Sequence, residues 1–138
     1  MKKILLFFYV VVSLTRLNGQ IADYKSLQPY FIIEPKFEKA GNFSEEIAPA
    51  KEMGKWGYIN KSGKWEISPS FDNAMEVSNG IALTYQSNGF VFIDKTGKQA
   101  IPKKYIDANS FSEGLAIVDD AGVGEYRFIN TKGETVFQ

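Results

Sequence analysis

Aromatic side chains recur two residues apart in Trp56-Gly-Tyr58-Ile-Asn60, Phe90-Val-Phe92-Ile-Asp94 and Tyr126-Arg-Phe128-Ile-Asn130. That spacing puts both rings on one face of a pleated strand, and the two aromatic columns are expected to form the core. Each segment ends on Asn60, Asp94 or Asn130, with Gly63, Gly97 or Gly133 three residues later. An Asx side chain opening a turn that glycine closes at positive φ predicts a chain reversal into a hairpin. The return strands contain Trp65-Glu-Ile67, Gln99-Ala-Ile101 and Thr135-Val-Phe137, and further strands follow Gly80 and Gly114 at Ile81–Tyr85 and Leu115–Val118. Each unit therefore reads as a three-stranded antiparallel meander. Phe43–Met53 is rich in Glu, Ala and Lys and favours helix by propensity. Pro49 and the alignment with strand-like copies outweigh that preference. Glu46 stands where the other copies have Gly80 and Gly114, so a turn that needs positive φ must strain or relax there.

The pattern is one unit written three times. Phe43-Ser-Glu-Glu-Ile-Ala, Val77-Ser-Asn-Gly-Ile-Ala and Phe111-Ser-Glu-Gly-Leu-Ala lie 34 residues apart, as do Ile33-Glu-Pro-Lys-Phe37, Ile67-Ser-Pro-Ser-Phe71 and Ile101-Pro-Lys-Lys-Tyr105. The last hairpin is displaced by 36 residues instead, which places a two-residue insertion in the loop Asp119–Gly124. A period of this length marks an array in which each unit buries its apolar face against its neighbours. The expected fold is all-β: an open, twisted tandem array of three antiparallel β-meander repeats, 33–66, 67–100 and 101–138. Three units are fewer than the blades of a propeller, so no closed ring is expected.

Composition adds an address. Met1-Lys-Lys3 precedes an apolar run, Ile4–Leu14, and Leu17-Asn-Gly19 resembles a processing site. The run is well short of the roughly 20 residues a spanning helix needs, so residues 1–19 read as an export signal and no stable membrane span is expected after its removal. Residues 20–32, with Tyr24, Tyr30 and Phe31, are expected to cap the first unit. The expected location is the periplasm, the outer envelope or the exterior. Removing the signal takes away Lys2, Lys3 and Arg16 and leaves a net charge of −3, which argues against nucleic acid as a partner. The chain has no cysteine, so the array must hold together without disulfides.

Gly54-Lys-Trp-Gly-Tyr-Ile-Asn-Lys-Ser-Gly-Lys64 and Phe111-Ser-Glu-Gly-Leu-Ala-Ile-Val118 resemble the signature of the bacterial WG repeats. The resemblance covers nearly all of residues 33–138. Only the first unit has the Trp-Gly pair itself; Phe90-Val and Tyr126-Arg replace it, as expected if the ring is kept for packing and the glycine is dispensable. What the resemblance implies is a β-rich repeat protein of the bacterial envelope or exterior. It implies no catalytic residue.

The residue inventory points the same way. Histidine and cysteine are both absent, which removes the commonest general base, the thiol nucleophile and the usual zinc ligands. Glu45 and Glu113 occupy equivalent positions but lie 68 residues apart. In an array they point along one edge rather than facing each other across the roughly 5 to 10 Å of a glycosidase pair. Asp94, Asp119 and Asp120 fall outside any calcium-loop pattern and read as solvated loop residues. No catalytic residue, metal site or cofactor is therefore expected. Positions that differ between copies have escaped the packing constraint: Trp65 aligns with Gln99 and Thr135, and Tyr85 with Asp119. These two are the candidate binding residues, with Trp65 also able simply to cover the open first unit. The expected function is binding or scaffolding of a protein or glycan, with self-association through exposed strand edges as the alternative. An acid-only hydrolase is the third and least favoured reading.

Overall fold

The computed structural model describes residues 37–137; the expected export signal at 1–19 and capping segment at 20–32 lie outside them. All regular structure among the described residues is strand. The first sheet contains β1 (Lys39–Ala40), β2 (Ile47–Glu52), β3 (Lys55–Asn60) and β4 (Trp65–Phe71). The second contains β5 (Asn73–Ser78), β6 (Ile81–Gln86), β7 (Gly89–Asp94) and β8 (Gln99–Tyr105). The third contains β9 (Asp107–Ala108), β10 (Leu115–Asp119), β11 (Arg127–Asn130) and β12 (Thr135–Phe137). Within each sheet, strands follow chain order and pair antiparallel.

The expected all-β array is present, but each sheet has one strand more than the sequence pattern suggests. The return strand runs through Ile67-Ser-Pro-Ser-Phe71, and the next sheet begins two residues later. Pro69 is tolerated because β4 is an edge strand, where a missing N–H breaks no ladder bond. Pro49 is accommodated in β2 at the point where its pairing with β1 ends, Ala40↔Ala50. The sheets are consequently out of phase with the 34-residue sequence units: the boundaries fall at Asp72 and Ile106 rather than at Ile67 and Ile101.

Packing runs between sheets, large side chains against small. Ile47, Tyr58, Ile67 and Phe71 of the first sheet pack on Ala82, Val91 and Ile93 of the second. Ile81, Leu83, Phe92, Ile101 and Tyr105, also of the second, pack on Ala116, Val118 and Ile129 of the third. Among the described residues no cluster combines side chains of the first and third sheets, and the three sheets form an open array. The central strands are buried on both faces, as Tyr58 with Ile59 and Phe92 with Ile93 show. Of the two aromatic columns, only Tyr58 and Phe92 are fully buried; Trp56, Phe90 and Phe128 are half-buried and Tyr126 is exposed. The core expectation for that column is corrected accordingly. The reason for Tyr126 is local: Phe71 opposes Trp56 and Tyr105 opposes Phe90, whereas among the described residues nothing opposes Tyr126.

The Asx turns form as expected. Asn60 Oδ1 accepts from the N–H groups of Ser62 and Lys64, and Asp94 and Asn130 repeat the arrangement. The hairpins between the first and second strands of each sheet use two consecutive residues at positive φ, Glu45-Glu46, Asn79-Gly80 and Glu113-Gly114, the type I′ geometry that matches strand twist. Glu46 holds φ +83°, close to the +75° of Gly80 and +80° of Gly114. The first turn is thus strained rather than relaxed.

Candidate binding groove between the first two sheets

Trp56 enters at the start of β3, where the pairing with β4 slips between Trp56 and Tyr58. That slip brings the β4 backbone against Gly57: a Cβ there would collide with the Ile67 carbonyl and lie 2.7 Å from the Pro69 nitrogen. The glycine of the Trp-Gly pair is therefore required in the first sheet, contrary to its expected dispensability. Val91 occupies the equivalent position in the second sheet, buried against the first.

Half-buried, Trp56 lines a groove of about 580 Å³ together with Pro49, Met75, Ser44, Ser78 and Ser110. Two hydrogen bonds tie its two sides together. Ser44 Oγ donates to the Val77 carbonyl at 2.7 Å, and the Tyr58 hydroxyl donates to the Met75 carbonyl at 2.7 Å. Burial pushes the Tyr58 phenol well above its ordinary value, so it stays a neutral donor. Glu76 Oε1 accepts from the Asn42 backbone at 3.0 Å and side chain at 2.8 Å. The groove offers an aromatic and apolar floor with hydroxyls along its margin, the mixture that orients a small ligand or a sugar ring.

A second, charged hollow of about 490 Å³ is lined by Glu45, Glu46, Asn60, Lys61, Glu66 and Lys95. Its carboxylates are engaged. Glu46 pairs with Lys61 at 2.8 Å, and the hydrogen bond from that lysine holds its carboxyl below the usual range. Glu45 accepts the Gly80 N–H at 3.0 Å and 3.1 Å and lies 3.6 Å from Lys95. Glu113 belongs to the equivalent turn of the third sheet and lines neither hollow.

The two candidates singled out by the repeat comparison fall in separate places. Trp65 is half-buried against Ala48, Ala50 and Ile59, edge-on to Phe37 at 5.2 Å between ring centres. It covers the outer face of the first sheet. Tyr85 is half-buried and edge-on to Phe90 at 5.0 Å. Neither lines the Trp56 groove. Trp56 reads as core in the sequence because its column is aromatic in every copy; the usable signal is that only this copy carries tryptophan there.

Asp119 is no solvated loop residue. It is buried and ties down the insertion loop, accepting from the backbone N–H groups of Ala121, Gly122 and Gly124 at 2.9, 2.8 and 2.9 Å. Burial opposes its charge, yet those donors hold its carboxyl below the usual range. Lys103 and Arg127 both pair with Asp120 and lower its carboxyl to about 2. Among the described residues there is no cluster of metal-ligating side chains, and no helix is long and apolar enough to cross a membrane.

Stacked four-stranded meanders built on one repeated motif define a tandem β-repeat protein. The family described as WG containing repeat matches at residues 31–56, 56–89 and 92–121, and the chain belongs to that family. No curated protein and no solved structure matches it.

Proposed function

We propose that this WG repeat protein is an exported, non-catalytic binding and scaffolding module whose ligand, a glycan or protein segment of the bacterial envelope, lies across Trp56. The observation that carries the reading is the groove between the first two sheets, which the half-buried indole of Trp56 lines together with Ser44, Ser78 and Ser110. Export is supported by the basic start and apolar run of residues 1–14. The absence of histidine and cysteine from the whole chain supports a role without turnover.

The test is retention on glycan arrays and on immobilised envelope fractions, followed by titration of tryptophan fluorescence with any ligand that is retained. Binding by the wild-type chain that falls at least tenfold in Trp56→Ala supports the proposal. Absence of any retained ligand, or equal binding by Trp56→Ala, overturns it.

A further inference from the structure

Two residues peculiar to a single copy of the repeat converge on the Trp56 groove. Tryptophan stands where the other units have Phe90 and Tyr126, and Glu76 stands where they have Asn42 and Ser110, 34 residues to either side. Both line the groove, and among the described residues Glu76 is the only ionisable one that does. Glu76 reaches from β5 across to the first sheet, where its Oε1 accepts the backbone N–H and the side-chain amide of Asn42. Two donors on one oxygen fix the carboxylate at the margin of the groove. Among the described residues nothing donates to Oε2, and no lysine or arginine pairs with Glu76. Lys51 and Lys39 follow Trp56 in register across β2 and β1, yet neither lines the groove. A ligand in the groove therefore meets one negative charge, an indole ring and no positive charge.

Both copy-specific groups favour a cation. An ammonium is attracted to the electron-rich face of an aromatic ring, tryptophan most strongly, and a carboxylate oxygen with open lone pairs accepts a charge-assisted hydrogen bond from it. An anionic ligand would set its charge against Glu76 with no compensating cation in the groove. The wall of the groove also separates a glycan from a peptide. β5 is the edge strand of the second sheet, and an extended peptide would bind by adding a strand to that edge. The carbonyls such a strand needs are already taken, Met75 by the Tyr58 hydroxyl and Val77 by the Ser44 hydroxyl. The strand is also bulged between Ala74 and Val77. A sugar needs no such ladder: its ring packs on the indole, and the hydroxyls of Ser44, Ser78 and Ser110 have lone pairs to accept from its own hydroxyls.

From this pairing of charge and shape we propose that the groove selects glycans whose sugar rings carry a free ammonium group, with the ring against Trp56 and the ammonium on Glu76, over neutral N-acetylated glycans and anionic ones. The inference rests on the reading of this groove as a ligand site and adds the chemistry of the ligand to it. Trp56 supplies contact area to any sugar; Glu76 supplies the preference for the charged amine.

The test is isothermal titration of the purified full chain at about pH 5.5, where the sugar amines are charged, with four probes: a β-1,4-linked glucosamine tetramer, its N-acetylated counterpart, a galacturonate tetramer and tetralysine. The wild type is expected to bind the glucosamine tetramer at least tenfold more tightly than each of the others, and added salt is expected to narrow the gap. Glu76→Gln, whose amide oxygen can still accept from Asn42, is expected to bind the glucosamine and N-acetylglucosamine tetramers alike while keeping the wild-type circular dichroism. Equal affinity of the wild type for those two tetramers, a preference that survives Glu76→Gln, tighter binding of tetralysine or the galacturonate tetramer, or no binding of the glucosamine tetramer would each overturn the inference. The groove reading is decided separately, by the Trp56→Ala comparison on a retained envelope ligand, so the two fail independently.

Discussion

Replacing Glu46 with glycine is expected to stabilise the protein, and the size of the effect follows from the turn geometry. Glu46 holds φ +83° in a hairpin whose two sister turns place glycine at +75° and +80°. Nothing lies within 4 Å of a Cβ built at Gly80 or Gly114. Crowding is therefore not the issue at the sister positions, and the penalty at Glu46 is the backbone conformation itself, about 1–2 kcal/mol for an L-residue in the left-handed region. Glycine offsets part of the relief by losing more freedom on folding, about 0.5–1 kcal/mol. A net gain of about 0.5–1 kcal/mol remains, equivalent to roughly 2 to 8 °C in melting temperature for a domain of this size. The exposed pair with Lys61 works against the gain because the substitution removes it. Melting in 1 M salt, where the screening length is about 3 Å, suppresses that contribution. Glu46→Ala is the control, since it loses the same carboxylate but keeps a Cβ at positive φ. Thermal unfolding followed by tryptophan fluorescence is a suitable readout, both tryptophans lying in the first sheet. If Glu46→Gly and Glu46→Ala melt together in high salt, the strain argument is wrong.

Phe92→Ala removes a ring with no exposed surface from the joint between the second and third sheets; a loss of about 3–5 kcal/mol is expected in urea denaturation. Gly57→Ala places a methyl group against the β4 backbone and is expected to cost about 1–3 kcal/mol in urea denaturation. Asp120 contributes to stability through its pairing with Lys103 and Arg127, which lowers its carboxyl from the ordinary carboxylate range to about 2. That contribution is complete above the unfolded value near 4 and is lost as pH falls towards 2. The stability difference between wild type and Asp120→Asn, measured by urea denaturation at pH 6, 4, 3 and 2, is therefore expected to shrink across the lower part of that range; a difference independent of pH would remove the ion pairs as its cause.

Much of the architecture was legible because the same local choices recur at fixed spacing. The Asx turns at Asn60, Asp94 and Asn130, the hairpins they close and the insertion between Asp119 and Gly124 all rest on short-range chemistry that a sequence displays directly. Inter-sheet geometry is a different matter. A ring two residues from another lies on the same side of an ideal strand, but the slipped pairing at Trp56 and the unopposed position of Tyr126 are properties of the neighbouring strand, β4 or β12. The extra strand of each sheet, the opening one, was hidden for a related reason: β1 and β9 are two residues long and β5 is bulged between Ala74 and Val77, so none of these edge strands shows a clean alternation of its own. The Trp56 groove was obscured because an aromatic column looks like core. Asp119 was obscured because its partners are backbone N–H groups, which leave no signature in side-chain identity.

The mismatch in phase between the sheet boundaries, at Asp72 and Ile106, and the sequence units, which begin at Ile67 and Ile101, has a genetic corollary. Tandem duplication or deletion of 34 codons within the first two periods can begin at any phase, and the rejoined segments still contribute a complete set of four strands in order. No hairpin has to be redesigned when a layer is added or lost. Length variation among such genes should accordingly proceed in whole layers, with recombination endpoints scattered across the period instead of being confined to the junctions at Asp72 and Ile106.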